Sequence, residues 1–249
     1  MPEREVRVTL ISCPKFPEHT AYIAARNCYS SADLSDMLQG EIDPANLKKR
    51  IDDVMKSGHY SVIEHASYTF AIEGVSRTLL AQLTRHRIAS FSVQSQRYVS
   101  FGGKEFGYIV PERIKAMGED QVKEFRRQMR IMQNFYNYWC DVLGKDGAED
   151  ARFVLPGAAA TQIVMTMNAR ELLHFFGLRM CNRAQWEIRA LAWKMYELVY
   201  PTAPAIFAHG GPSCANGHCP EGLRGCGKAA EMRARLEGVR NAALEAVGK

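Results

Sequence analysis

Polar and apolar positions alternate through Val6-Arg7-Val8-Thr9-Leu10-Ile11-Ser12, and the β-branched content of that run predicts a first strand, ended by Pro14 and Pro17. The period then lengthens. Ala21, Ala24, Ala25 and Cys28 recur on one face of a helix over 20–29, and Asp43-Pro44 offers a cap and first position for a second helix through Met55. A short polar connection over 58–65 leads to a strand at Tyr68–Ile72. Leu79, Leu80 and Leu83 form a ridge on a helix from about Ser76 to His86, followed by an irregular stretch to Tyr98. The longest helical period runs from Glu119 to Leu143, with Phe125, Met129, Met132, Phe135, Tyr136 and Trp139 expected inward as core. Thr161–Met167 reads as a further strand, Asn168 as the N-cap of the helix after it, and 228–247 as a terminal amphipathic helix.

No shift in composition marks a linker in the 249 residues, so one domain is expected. With 47% hydrophobic and 24% charged residues the chain has the make-up of an ordinary globular protein, and its net charge of +5 is too mild for a nucleic-acid tail. No apolar run approaches the roughly 18 residues of a membrane helix, and Met1-Pro2-Glu3-Arg4-Glu5 is too charged for a secretory signal, which points to the cytoplasm. Seven cysteines without a Cys-x-x-Cys pair fit reduced thiols. Cys214, Cys219 and Cys226, near His209 and His218, are the one local density of soft metal ligands. Their spacings lack the usual knuckle pair, so free thiols are favoured, no metal is assigned, and the role of this tail stays open. His59, Glu64 and His65 likewise match no metal spacing.

Charge becomes informative only locally. From Gly74 to Lys104 there is no Asp or Glu, while Arg77, Arg85, Arg87, Arg97 and Lys104 are fixed cations. Guanidinium forks grip phosphate in a bidentate way, and Ser90, Ser92 and Ser95 add hydroxyls without adding charge. This is an anion site. Two other readings compete with an enzyme: a nucleic-acid module stacking bases on Phe91, Tyr98 and Phe101, and a structural oligomer in which the arginines pair with acids of its neighbours.

The spelling of the segment favours the enzyme. Arg85-His86-Arg87, seven residues and then Ser95, followed by Gln96-Arg97-Tyr98, resembles the signature of the flavin-dependent thymidylate synthases, the ThyX family. Further family segments recur in order: Ala24–Ser30, Gly58-His59 through Glu64-His65, Arg152 with Leu155-Pro156, Asn168-x-Arg170, Leu178-Arg179 and Gln185-Trp186-Glu187-Ile188. The resemblance spans roughly 20–200. It implies a mixed α/β (α+β) subunit with a central, mainly antiparallel sheet flanked by helices, assembled as a homotetramer with shared active sites. It also implies a catalytic domain over 1–208, with 209–249 as a Cys-rich loop and helix packed on it. The implied reaction methylates dUMP to dTMP with methylenetetrahydrofolate as carbon donor and FAD, reduced by NADPH, as reductant. No nucleic acid and no membrane take part.

Residue by residue, the resemblance puts His59, Ser61, Glu64, Arg85, His86, Arg87, Ser90, Asn168, Arg170 and His174 on the cofactor side. Gln82, Arg85, Gln94, Ser95 and Gln96 match the dUMP pocket, Arg97 and Arg152 the nucleotide phosphate, and Arg179 the pyrimidine. Arg179, Ser95 and His59 fall at the reacting centre; without a neighbouring base to activate it, Ser95 is expected to position rather than attack. Val93 stands where the family often has Glu or Gln, and Arg183 where some members have His. Cys181 is the nearest thing to a thiol nucleophile, and no motif supports it.

Overall fold

The computed structural model describes residues 1–247. In chain order its elements are β1 (Arg7–Ser12), α1 (Pro17–Asn27), α2 (Leu34–Gln39), α3 (Pro44–Lys56), β2 (Ser67–Ser76), α4 (Arg77–Leu83) and β3 (Ala89–Val93). There follow α5 (Glu112–Lys115), α6 (Glu119–Leu143), α7 (Ala148–Ala151), β4 (Ala160–Asn168), α8 (Ala169–Arg179), α9 (Trp186–Val199), α10 (Pro204–Phe207) and α11 (Ala229–Val247). The strands make an antiparallel sheet in the order β1-β2-β4-β3, the expected mixed α/β class. Alternation decides which faces are buried: Tyr68, Phe70 and Ile72 of β2 and Ile163, Met165 and Met167 of β4 point inward. No helix of the described residues is long and apolar enough to cross a membrane.

The caps follow their chemistry. Asp43 accepts from the Asn46 amide at 2.9 Å at the start of α3, and Ser76 accepts from Leu79 at 3.0 Å at the start of α4. Gln185 accepts from the amides of Glu187 and Ile188, so the Gln-Trp-Glu-Ile segment begins α9 with its own cap. Two expectations need correction. The stretch after His86 is not wholly irregular, because Ala89–Val93 is a strand whose half-buried Ala89, Phe91 and Val93 alternate with exposed serines. Phe135 and Trp139 are 52% and 42% exposed, not core. The buried face of α6 runs through Val122, Met129, Gln133 and Tyr136; at about 100° per residue Phe135 lies a quarter-turn away from Tyr136.

The chain groups into two compact units, interleaved in sequence. Unit one comprises Met1–Val8, Ala71–Arg85 and Phe91–Met165. Its core gathers Phe106, Tyr108, Val110, Val122, Met129 and Ala159 against α6, with Phe125 and Met132 at the margin. Gly74 there has φ +66°, and a Cβ on it would sit 2.0 Å from the Glu5 carbonyl oxygen, so only glycine fits. Unit two comprises Thr9–Phe70, His86–Ser90 and the chain from Thr166. Its core is aromatic: Phe176 meets Tyr196 edge-on at 5.2 Å, and Tyr68 meets Phe207 at 5.3 Å. Met232 and Leu236 of α11 are buried in it, and Arg240 donates to the Tyr196 hydroxyl at 2.7 Å and to the carbonyls of Ala208 and Gly210.

Candidate active site

In unit two the site is built from the first turns of α8. Asn168 leaves β4 and caps the helix, its Oδ1 accepting from the Glu171 amide at 2.9 Å. Arg170 and His174, four residues apart, then share one face. Arg170 donates to the Glu64 carboxylate at 2.5 Å, and all four of Glu64, Asn168, Arg170 and His174 line a cavity of 710 Å³. Its far wall comes from His209, Gly211, Ser213 and Asn216. A helix N-terminus and a guanidinium at a roomy cavity of mixed polar and apolar lining suit a phosphate-bearing ligand.

Glu171, one position round from Arg170, also borders this cavity but is nearly buried. Its carboxylate accepts from His86 Nδ1 at 2.8 Å, and Arg179 at the end of α8 donates from Nε to His86 Nε2 at 3.0 Å. An arginine Nε–H can only donate, so His86 keeps its lone pair on Nε2 and its proton on Nδ1. Burial holds the imidazole below its usual pKa in spite of Glu171, and the Arg179 charge acts in the same direction as burial. The result is a buried chain, carboxylate to neutral imidazole to guanidinium. His86, Glu171 and His174 bring one ligand atom each within 4.8 Å of one another, a cation's spacing. Both His86 nitrogens are already engaged, however, and a guanidinium stands beside them, so the cluster is a hydrogen-bond relay.

Unit one holds the other expected group. Arg97 Nε pairs with the Glu149 carboxylate at 2.9 Å, while Arg152 Nε donates to the Glu149 carbonyl at 2.9 Å. Arg77 belongs with them: burial, aided by the Arg152 charge, lowers its pKa. Arg97 and Arg152 thus meet at Glu149, and Arg77 is close enough to Arg152 to feel its charge. Ser95 Oγ accepts from the Arg97 amide at 3.2 Å and its carbonyl from Val99 at 3.0 Å, which shapes the turn that presents Arg97. Gln94 is tied through its backbone to Gln162 at 3.0 Å, and Gln82 and Gln96 are half-buried.

The remaining expected residues are less drawn together. His59 and Ser61 sit at the short turn before β2 beside a 260 Å³ cavity that Arg170 also lines. Arg85, Arg87 and Ser90 are exposed. Val93 is half-buried in β3, and Arg183 donates to the Arg224 carbonyl. Two residues escaped the sequence reading: Tyr29 bonds His59 Nδ1 at 2.9 Å with the rings stacked, and Glu171 sets the His86 tautomer. Arg77, read only as one cation of the acid-free segment, lies near Arg152. Nothing in the sequence around Glu171 announces this role, because its partner His86 lies 85 residues away along the chain.

A capped helix at a roomy cavity, a buried relay ending on an arginine, and a neighbouring group of arginines are the marks of an enzyme for anionic ligands. The profile of the family described as thymidylate synthase complementing protein matches residues 9–205, and the chain belongs to that family. It is 50% identical over 230 residues to a flavin-dependent thymidylate synthase of Geobacter sulfurreducens, covering 92% of this chain and 97% of that protein. Proteins of the same name from Nitratidesulfovibrio vulgaris and Clostridium tetani are 47% and 43% identical, each over 92% of this chain and 97% and 96% of their own. Among solved structures, the UMP/dUMP methylase PolB from Streptomyces cacaoi, bound with 5-Br dUMP, aligns with a TM-score of 0.71 at 24% identity. That match covers 84% of this chain and 97% of that one, a likeness of fold.

Proposed function

We propose that this chain is a flavin-dependent thymidylate synthase, methylating dUMP to dTMP with methylenetetrahydrofolate as carbon donor and NADPH-reduced FAD as reductant. The observation that carries the reading is that Glu64, Asn168, Arg170 and His174, all flavin-side positions, line one 710 Å³ cavity at the N-terminus of α8. The name shared by relatives at 43–50% identity supports it. FAD supplies the electrons that turn the transferred methylene into a methyl group, chemistry no side chain offers.

The chain's own residues bind and polarise. Arg170 exchanges Glu64 for a cofactor phosphate, with Asn168 and His174 beside it and His59, Ser61, Arg85, His86, Arg87 and Ser90 completing the cofactor side. Arg97 and Arg152, joined by Arg77, take the nucleotide phosphate in place of Glu149. Gln82, Gln94, Ser95 and Gln96 orient the nucleotide. Arg179, held through His86 by Glu171, stabilises the negative charge that develops on the uracil carbonyl as C5 becomes nucleophilic.

Residues 1–208 carry the catalysis and 209–249 extend it, in a cytoplasmic homotetramer. Phe135, Tyr138, Trp139, Val142 and Leu143, exposed together on the second half of α6, support self-association. The test is direct: the purified protein is yellow, oxidises NADPH and forms dTMP from dUMP and methylenetetrahydrofolate. A colourless preparation that cannot take up FAD overturns the reading.

A further inference from the structure

The cavity at the N-terminus of α8 has a lining of two origins. Asn168, Arg170 and His174 belong to the cap and first turns of α8, while His209, Gly211, Ser213 and Asn216 belong to a loop that lies past residues 9–205, the span matched by the family profile. That loop is held from several sides. Arg240 of α11 donates to the carbonyls of Ala208 at 2.7 Å and Gly210 at 3.1 Å, and Asn216 Nδ2 donates to those of His209 and Gly210, each at 2.9 Å. Gly211 has φ +115°, and a Cβ on it would come 2.6 Å from the buried Leu236 of α11. Ser213 Oγ donates to the Gly177 carbonyl at 3.3 Å, which ties the loop to α8. A loop fastened in this way presents its side chains in fixed positions.

His209 is also oriented from α3. Its Nε2 lies 2.9 Å from Asp52 Oδ1, and Lys48 Nζ donates to the other oxygen of that carboxylate at 3.3 Å. Burial raises the Asp52 pKa, but the hydrogen bonds from His209 and Lys48 outweigh it and hold the group below its usual value, as a carboxylate that can only accept. Nε2 therefore carries the proton. Nδ1, which has no partner among the described residues, is left as the acceptor of the neutral ring.

We propose, on the reading of this chain as an FAD enzyme, that His209 is a further cofactor-binding residue, accepting a hydrogen bond at Nδ1 from the adenosine half of FAD, with Asp52 as its positioning residue. Arg170 and the helix N-terminus suit phosphate, which offers only acceptors; a ring nitrogen with a lone pair calls for an N–H or O–H instead. Adenosine supplies both, on its amino group and its ribose. The flavin ring has to lie with the residues assigned to the reacting centre, His59 and Arg179, and the loop over 209–216 contributes none of these, which leaves adenosine for the loop. Met55 and Leu173 in the same lining suit the apolar face of a base.

The test is independent of turnover. The full chain, freed of flavin, is titrated with FAD and with FMN, which shares the flavin and one phosphate but has no adenosine, and binding is followed by flavin fluorescence. His209→Ala raises the Kd for FAD about tenfold, the loss of one hydrogen bond, and leaves that for FMN within about twofold. Asp52→Asn moves the FAD value by a few-fold in the same direction, again without moving FMN, an asymmetry that a merely structural role does not produce. An unchanged Kd for FAD in His209→Ala overturns the proposal, and so does an equal loss for both flavins. Where His209→Ala fails to fold, Asp52→Asn decides by the same comparison. A chain that binds neither flavin overturns the FAD reading itself, and this assignment with it.

Discussion

Arg97 and Arg179 are both assigned to the nucleotide, and they are held in opposite ways. Arg97 lies in a pair with Glu149 in which both side chains are about half exposed, 47% and 50%. Such a pair contributes about 1 kcal/mol or less and exchanges readily for another anion. Arg179 is braced at Nε by an imidazole that is 4% exposed and is itself fixed by a carboxylate 6% exposed. A phosphate that arrives already charged needs only capture. Charge that develops during a reaction is best met by a donor already in place, because reorganisation then costs nothing at the moment of reaction.

Predictions that break or sharpen this contrast fall in order of size. Arg179→Ala lowers kcat by about 10²–10³-fold, the usual effect of removing one such donor, while flavin absorbance and melting temperature stay near those of the unaltered protein. Unchanged kinetics refute its role. Glu171→Gln weakens a charge-assisted hydrogen bond to His86, a loss of about 2 kcal/mol or roughly thirtyfold. It falls on kcat and leaves the KM for dUMP nearly fixed; an effect on KM alone means that the relay does not brace Arg179. Arg97→Ala raises the KM for dUMP about tenfold, more at low salt, with little change in kcat. Glu149→Gln changes that KM by a few-fold at most, downward, because it removes a competitor for Arg97.

Acid should separate the two regions as well. His86 titrates below its ordinary 6.5 because of burial, flanked by Glu171, Arg179 and His174. The unfolded chain therefore binds a proton there before the folded one does. The contribution of this site to stability is whole above about 6.5 and is lost as pH falls through the lower folded value. A His86→Gln variant flattens that limb of a melting-temperature profile. Equal acid sensitivity in both proteins contradicts the relay.

Much of this was legible in the sequence, for physical reasons that also mark the limits. Asp43, Asn168 and the alternating runs of β1, β2 and β4 announced their elements because caps and period-2 burial are local. β3 did not, because Ser90 and Ser92 dilute the apolar alternation to three half-buried positions. Phe135 and Trp139 passed for core since their type suits burial, while the helical angle turns them outward. Glu171 gave no local sign of its role, since its partner His86 comes from another part of the chain.

The division of labour between the regions, cofactor at the α8 cavity and nucleotide phosphate at the arginine cluster, is tested most directly by titrating FAD and dUMP into Arg152→Ala. Full flavin uptake with dUMP affinity reduced at least about tenfold, or 1.4 kcal/mol, is the predicted result. Lost flavin with dUMP binding intact would contradict it.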